Sequence, residues 1–171
     1  MKLSKRDREQ FQRTTRLTQM QRMDPIKFEW FVGWIYEQRG YTVKTTVASG
    51  DEGIDLELSR WGKKVVVQCK RYKGTVGQPT VRDLYGTMFH AGARAAHIVT
   101  TGKFSRQAEK WAAGKPIVLI DGNDLVALVN KMRRKQEKAK GAPVRTFSPT
   151  QLLIVLGFIS FLLSTLWWWF S

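Results

Sequence analysis

Three polar residues, Asp55, Gln68 and Lys70, stand in stretches whose apolar pattern is typical of β-strands. Asp55 is flanked by apolar residues, and the valine run 65–67 leads into Gln68-Cys69-Lys70. Side chains of a strand alternate between its two faces, so Gln68 and Lys70 share one face and Cys69 takes the other. If the two strands pair, an acid, an amide and a lysine converge at one end of a sheet. That combination suits a divalent metal ion and an activated water.

Each of these residues also has a purely structural explanation. A carboxylate in an apolar strand requires a partner, and an ion pair of Asp55 with Lys70 or Arg71 would supply one. Lys70 is equally explained as an exposed charge at a strand end. Glu29 sits between two aromatic residues in a predicted helix and fits a solvated helix face, while Gln78 fits a loop before the next helix. The spacing alone leaves both explanations open.

Two basic segments suit contacts to nucleic-acid phosphates. Segment 68–73 closes its strand with three bases and a tyrosine, a composition found at phosphate contacts. Segment 101–105 resembles a phosphate-binding loop only superficially, because the full Gly-x4-Gly-Lys-Ser/Thr pattern is missing. A strand-to-helix turn explains it, although the helix that follows could present its amino terminus to a DNA phosphate. His90 and His97 lack zinc-ligand spacing, and Cys69 is expected in the core.

Alternating helix and strand patterns position these residues. Asp24-Pro25 predicts a helix start, because Asp caps free N–H groups and Pro suits the first turn. The patterns predict strands over residues 41–47, 54–58, 64–71, 95–100 and 116–120. Helices are predicted over residues 25–40, 79–92, 105–113 and 124–132. The order α-β-β-β-α-β-α-β-α predicts an α/β fold with one mixed sheet flanked by helices on both faces.

The net charge of +15 lies mostly outside this middle region. Residues 1–23 carry +5, residues 131–145 carry +6, and residues 24–130 carry only +4. Segment 1–23 is expected to be a basic helix or disordered, and it lacks the apolar core of a secretory signal. The single cysteine excludes an internal disulfide and is compatible with a reducing compartment.

Residues 151–170 form the most apolar stretch of the chain and predict a transmembrane helix. Nineteen uncharged residues from Leu152 to Phe170 span about 28 Å as a helix, close to the hydrocarbon core of a bilayer. A buried core helix is the alternative, but the stretch has no polar face. The basic linker 131–150 would stay in the cytoplasm and attract anionic lipid, which we favour over a DNA role. We therefore predict a single-pass membrane protein with its main domain in the cytoplasm.

Taken together, the motifs resemble the catalytic domain of Mrr-type restriction endonucleases, which belong to the PD-(D/E)xK nuclease superfamily. The resemblance covers roughly residues 24–130. It rests on the segments Phe28-Glu29, Gly40-Tyr41, Ser49-Gly50-Asp51-Glu52-Gly53-Ile54-Asp55, Val67-Gln68-Cys69-Lys70-Arg71-Tyr72, Thr100-Thr101-Gly102-Lys103-Phe104-Ser105 and Ile120-Asp121-Gly122. It implies a restriction-endonuclease-like mixed sheet flanked by helices, to which this chain would add the transmembrane helix.

The resemblance also implies roles for the candidate residues. Asp55 and Gln68 would be the metal ligands, Lys70 would position and polarise the attacking water, and Glu29 would support the metal site. Gln68 stands where most of the superfamily has an acid, although Mrr-like members also carry a glutamine there. Mg²⁺ is the expected metal, with Mn²⁺ as the alternative, and no small-molecule cofactor is expected. We predict DNA contacts from the basic segments and the helix starts, at Arg71, Lys73, Gln78, Lys103 and Ser105.

These expectations describe a membrane-anchored, metal-dependent DNA endonuclease of a restriction or DNA-defence system. Its expected partners are DNA and, through residues 151–170, the lipid bilayer; a homodimer is compatible with cutting both strands. The main alternative is a nuclease-fold protein with little catalysis that binds or tethers DNA at the membrane. A membrane interaction protein that uses only the fold is the third. The chain has no room for a separate DNA-recognition domain, so its target preference is left open.

Overall fold

The computed structural model of the protein describes residues 3–46 and 53–141, with only the backbone described at 140 and 141. The chain divides into two units, Met1–Lys135 and Gln136–Ser171. The helices are α1 Lys5–Arg13, α2 Leu17–Gln21, α3 Pro25–Gln38, α4 Gln78–His90, α5 Arg106–Ala112 and α6 Gly122–Gly141. The strands are β1 Thr42–Thr45, β2 Leu56–Arg60, β3 Lys63–Lys70, β4 Thr75–Val76, β5 Ala95–Thr100, β6 Lys103–Phe104 and β7 Ile117–Ile120. Residues 136–141, the last residues of α6, are the described part of the second unit.

A five-stranded mixed sheet forms the centre of the first unit, in the order β1-β2-β3-β5-β7. The first three strands form an antiparallel meander, and β3, β5 and β7 run parallel. The helices α4 and α5 lie between the parallel strands in sequence, as crossover connections require. This arrangement confirms the predicted mixed sheet with flanking helices.

Each face of the sheet carries its own hydrophobic core, because apolar residues alternate along the strands. On one face, Val65 and Val67 pack with residues of α1, α2, α3 and α6. On the other face, Val66 and Ile98 pack with residues of α4 and α5. Burying apolar side chains on both faces stabilises the sheet by roughly 25 cal/mol for each Å² removed from water. The central strands are therefore a rigid support for polar groups at their ends.

Helix α3 begins as the sequence predicts. The Asp24 carboxylate accepts hydrogen bonds from the N–H groups of Ile26 and Lys27, at 2.9 and 3.3 Å, and Pro25 occupies the first turn. The helix is buried almost all round between residues 31 and 36, because α1 covers the side that the sheet does not.

The basic segment before α3 is helical in its described part. Phe11 of α1 is fully buried, and its ring lies 5.4 Å from that of Phe31 and 6.0 Å from that of Trp34. Met20 of α2 is also fully buried in the same core. Of the two possibilities left open for residues 1–23, the described residues 3–23 take the helical one and pack on the nuclease-like unit.

Several element boundaries differ from the sequence expectations. Strand β2 begins at Leu56 instead of residue 54, so Asp55 precedes the strand. Strands β4 and β6 were not predicted; they form a separate two-stranded parallel sheet between residues 75–76 and 103–104. Two-residue strands carry no periodicity that a sequence pattern could reveal. Helix α6 continues to Gly141, beyond the predicted end at residue 132, because the sequence has no helix breaker there.

The predicted turn at residues 49–53 lies outside the described residues except for Gly53, and the predicted transmembrane helix at 151–170 lies wholly outside them. Among the residues that are described, no helix is both long and apolar enough to span a membrane.

Candidate active site

Asp55 is held against the end of β3 by two backbone contacts. Its N–H donates to the carbonyl oxygen of Val67 at 2.9 Å, and its Oδ2 accepts from the N–H of Cys69 at 2.6 Å. In the part of the chain that the structure describes, neither Lys70 nor Arg71 forms an ion pair with Asp55. The partner of this half-buried acid is therefore a backbone amide, and the ion-pair explanation is not needed.

Gln68 and Lys70 follow on β3, as half-buried residues at the carboxyl end of the strand. Strand alternation places them on the face of Val66, whereas Cys69 packs with the core on the opposite face. Asp55 lies beside them because Leu56 opposes Val67 in the antiparallel register. The structure thus brings the predicted acid, amide and lysine to the same end of the sheet.

The Gln68 amide is only partly satisfied. Its Oε1 is buried, and no described residue donates a hydrogen bond to it. The backbone of Gly53 lies so close to Nε2 that a Cβ at Gly53 would overlap it, and Gly53 has φ of +66°. A buried amide oxygen without a donor costs about 1–3 kcal/mol, so an unpaired oxygen next to a carboxylate marks a place for a ligand.

The charges at this end of the sheet influence one another. Burial raises the pKa of the Asp55 carboxyl, while the Cys69 amide and the positive charge of Lys70 oppose that rise. Burial, with the negative charge of Asp55 and then of Asp24, raises the pKa of Glu29 to about 7. Glu29 is thus an acid of α3 close enough to sense Asp55, and it exchanges a proton near neutral pH.

The backbone of Lys70 is held by residues at the carboxyl end of β5 and just beyond it. Its carbonyl oxygen accepts hydrogen bonds from the Thr100 hydroxyl at 2.8 Å and the Thr101 N–H at 3.2 Å. The Thr101 hydroxyl donates to the carbonyl of Tyr72 at 3.0 Å. Both threonines are buried. Sequence reasoning interpreted segment 101–105 as a turn and missed this support, because the contacts join residues that are far apart in the chain.

The predicted DNA contacts have different local environments. Arg71 donates from Nη1 to the carbonyl of Gln21 at 3.1 Å, and its Nε is buried without a described partner. Lys73 and Lys103 are exposed and line the same small cavity. Gln78 is the first residue of α4. Ser105 caps α5, because its Oγ accepts from the N–H of Ala108 at 3.1 Å.

A metal at this site would depend on few protein ligands. Within residues 3–46 and 53–141, no three His, Cys, Asp or Glu residues gather into a group that could hold a metal. The oxygen donors on hand are the Asp55 carboxylate and the unpaired Gln68 Oε1. Mg²⁺ takes oxygen ligands and keeps several waters, so this donor set fits the ion.

A mixed sheet flanked by helices, with an acid beside one central strand and a Gln-x-Lys sequence at its end, is typical of nucleases of the restriction-endonuclease class. The restriction endonuclease family Mrr_cat matches residues 20–129. The chain therefore belongs to this family, and the fold expected from the motifs of residues 24–130 is confirmed.

The type IV methyl-directed restriction enzyme EcoKMrr of Escherichia coli strain K12 is a relative, 33% identical over 122 residues. The alignment covers 66% of this chain and 40% of that enzyme. The chain thus spans about two fifths of the length of the curated relative it matches.

Two solved structures resemble the fold. The DNA modification-dependent restriction endonuclease AspBHI is 21% identical, with a TM-score of 0.54 over 92% of this chain and 41% of that chain. The protein of unknown function AF1548 is 24% identical, with a TM-score of 0.50 over 57% of this chain and 58% of that chain. At these identities the likeness concerns the fold alone.

Proposed function

We propose that this protein is a DNA endonuclease of the Mrr, type IV restriction class, which hydrolyses phosphodiester bonds with Mg²⁺ or Mn²⁺ in restriction or DNA defence. One observation carries the proposal: the buried, unpaired Gln68 Oε1 lies at the same strand end as Asp55 and Lys70. Family membership and the relation to a methyl-directed restriction enzyme support DNA as the substrate.

Asp55 and Gln68 would hold the metal through carboxylate and amide oxygens. When bound, a divalent ion stabilises the charge that develops on the phosphate and lowers the pKa of its bound water. The Cys69 N–H keeps Asp55 Oδ2 oriented, and Gly53 packs against Nε2 of Gln68. The chain therefore presents both oxygens before any ligand arrives, as preorganised sites do.

Lys70 is the residue we assign to the attacking water and the phosphate. Its ammonium group donates hydrogen bonds to both, and its backbone is fixed by Thr100 and Thr101. In the reaction, the water oxygen forms a bond to phosphorus and loses a proton to solvent, while the bond from phosphorus to the leaving oxygen breaks and that oxygen takes up a proton from solvent. Glu29 of α3, whose pKa burial and the charge of Asp55 raise to about 7, would support the metal site.

We further propose that residues 151–170 anchor the nuclease in the inner membrane, with the basic linker 131–150 on the cytoplasmic side. The support is the uncharged apolar segment and the positive charge that precedes it, a pattern that orients membrane helices. A homodimer would bring together two sites for cutting both strands.

The test is cleavage of methylated and unmethylated supercoiled plasmid by the full chain, purified in mild detergent. Reactions contain Mg²⁺, Mn²⁺ or a chelator. We expect metal-dependent nicking or linearisation that Asp55→Ala abolishes. Glu57→Gln is the matched control, because Glu57 is an acid of β2 whose carboxylate already pairs with Lys64, at 3.1 Å. Equal cleavage by wild type and Asp55→Ala, or cleavage in chelator, would overturn the proposal.

A DNA-binding or tethering protein with little catalysis is the second candidate. It is favoured by the neutral Gln68 in place of an acid and by the lack, among the described residues, of a group of three acidic or other metal-binding side chains. This candidate predicts DNA binding that persists without a metal and weakens steeply with salt. A folded protein that shifts DNA in every metal condition without cutting it would support tethering over cleavage.

A further inference from the structure

A small cavity lies where the carboxyl ends of the parallel strands β3, β5 and β7 lead into their loops. Its volume is about 130 Å³, and its lining includes Gln21, Lys73, Thr75, Thr101, Lys103 and Asn123. Ligands of open α/β sheets commonly bind outside the carboxyl ends of the strands. The cavity is separate from Asp55 and Gln68, and nothing in the proposed cleavage chemistry uses it.

The walls of this cavity are fixed by hydrogen bonds. Gln21 Nε2 donates to the carbonyl of Thr101 at 2.9 Å, and the Lys103 N–H donates to the carbonyl of Gly74 at 3.2 Å. Strand pairing aligns Thr75 with Lys103. Gly102 lies so close to the carbonyl of Gly74 that a Cβ would overlap it. The cavity is therefore formed before any ligand binds.

The lysines give the cavity its charge. Lys73 and Lys103 are exposed, and neither has a carboxylate partner within the described ranges. Asp121, the residue before α6, uses its carboxylate to cap that helix: its Oδ1 accepts from the N–H groups of Asn123 and Asp124, at 2.8 and 2.9 Å. The start of α6 is thus already capped, and the two ammonium groups would carry the binding of an anion.

Lys73 follows Lys70 by three residues, so its Cα lies within about 11 Å of the Cα of Lys70. Successive nucleotides of one DNA strand rise by about 3.4 Å. We propose that this cavity is a subsite for one non-scissile phosphate of the bound DNA, within about three nucleotides of the cleaved bond, and that Lys73 and Lys103 share that phosphate. The inference rests on the proposed function, since it takes DNA as the ligand.

The test measures binding of a 20-base-pair duplex to the full chain in chelator, by fluorescence anisotropy. A lost charge-assisted contact weakens binding about tenfold. We expect Lys73→Ala, Lys103→Ala and the double variant each to bind about tenfold more weakly, because the two lysines serve one phosphate. Lys63→Ala is the matched control: Lys63 is an exposed lysine at the opposite end of β3, and its loss should leave the affinity unchanged.

A second variant distinguishes binding of a phosphate in the cavity from general attraction of DNA to a basic surface. Thr75→Phe fills the cavity without changing the charge, and we expect it to lower the affinity about tenfold at an unchanged melting temperature. An additive loss of affinity of about a hundredfold in the double variant, with unchanged affinity in Thr75→Phe, would overturn the proposed subsite. That result would not bear on the proposed cleavage activity. Wild type that binds no duplex would instead overturn the proposed function itself.

Discussion

Two polar clusters lie on opposite faces of the central sheet, one residue apart along its strands. On the first face, the Tyr36 hydroxyl and His97 Nδ1 are 2.6 Å apart, and His97 aligns with Val67. On the other face, Gln68 aligns with Ile98, and its Oε1 is buried without a described donor. The two clusters share a scaffold and differ in whether their hydrogen bonds are complete.

The electrostatics of the Tyr36–His97 pair explain why both side chains stay neutral. Burial, with a further contribution from the positive charge of Arg39, lowers the pKa of His97 to about 4. Burial also raises the pKa of Tyr36, so a neutral hydroxyl and a neutral imidazole share this hydrogen bond at pH 7. Such a pair needs no ligand. The two clusters thus differ in one respect: the Tyr36–His97 hydrogen bond is formed within the protein, whereas Gln68 Oε1 has no donor among the described residues.

The largest expected effect is on catalysis. Lys70→Ala should lower plasmid cleavage about 10³-fold, because the residue assigned to the attacking water is lost. The melting temperature should stay near that of wild type, since the hydrogen bonds to Lys70 involve its backbone carbonyl. Cleavage is measured as the rate of loss of supercoiled plasmid, at equal concentrations of folded protein. A variant that cuts at the wild-type rate would place the chemistry elsewhere.

The His97 pair should control stability at low pH. Protonation of His97 in the unfolded chain occurs near pH 6.5 and in the folded chain near pH 4, so the unfolded state binds the additional proton between these values. Stability from this residue is complete above about pH 6.5 and falls by about 3 kcal/mol as pH drops to 4. Urea unfolding across this range should show a loss that His97→Gln, which cannot titrate, lacks. Parallel pH profiles for the two proteins would contradict the assignment.

Tyr36→Phe should lower stability without changing cleavage, and it therefore tests whether the two faces of the sheet act independently. It removes the hydroxyl that shares a hydrogen bond with Nδ1 of the half-buried His97, which costs about 2 kcal/mol of the free energy of unfolding. Cleavage per folded molecule should not change, because the pair lies on the sheet face opposite that of Gln68 and Lys70. Urea unfolding and the plasmid assay together check this. A loss of cleavage larger than the loss of folded protein would show that the faces are coupled.

Gln68→Glu should give the smallest effect, and it tests whether the side-chain oxygen at position 68 binds the metal. A second carboxylate beside Asp55 attracts a divalent cation more strongly, so the Mg²⁺ concentration for half-maximal cleavage should fall about tenfold. Gln68→Leu, which removes the oxygen at similar size, is the comparison and should raise that concentration. Identical Mg²⁺ dependence in both variants would mean that the position does not contact the metal.

Local signals in the sequence predicted the main elements well. Asp24-Pro25 predicted the start of α3, and the strand predicted over residues 95–100 has the observed bounds of β5. The Gln-x-Lys alternation also placed Gln68 and Lys70 on one face. These features depend on residues that are close together in the sequence, and a sequence pattern contains that local information.

Contacts between distant segments could not be predicted in the same way. The hydrogen bond of Asp55 with the Cys69 N–H, the Tyr36–His97 pair and the link from Gln21 to Thr101 join residues that only the folded chain brings together. The unpaired state of Gln68 is likewise a property of packing, because it depends on what fails to reach the oxygen. Sequence therefore supplied the site residues, while the structure supplied their partners.

The central claim is that Asp55 and Gln68 bind a divalent metal, whereas the Tyr36–His97 pair is structural. Calorimetric titration of Mg²⁺ and Mn²⁺ into the full chain, into Asp55→Asn and into Tyr36→Phe tests it most directly. We predict that wild type and Tyr36→Phe bind the metal with similar affinity and that Asp55→Asn does not. Binding retained in Asp55→Asn, or lost in Tyr36→Phe while the protein remains folded, would contradict the claim.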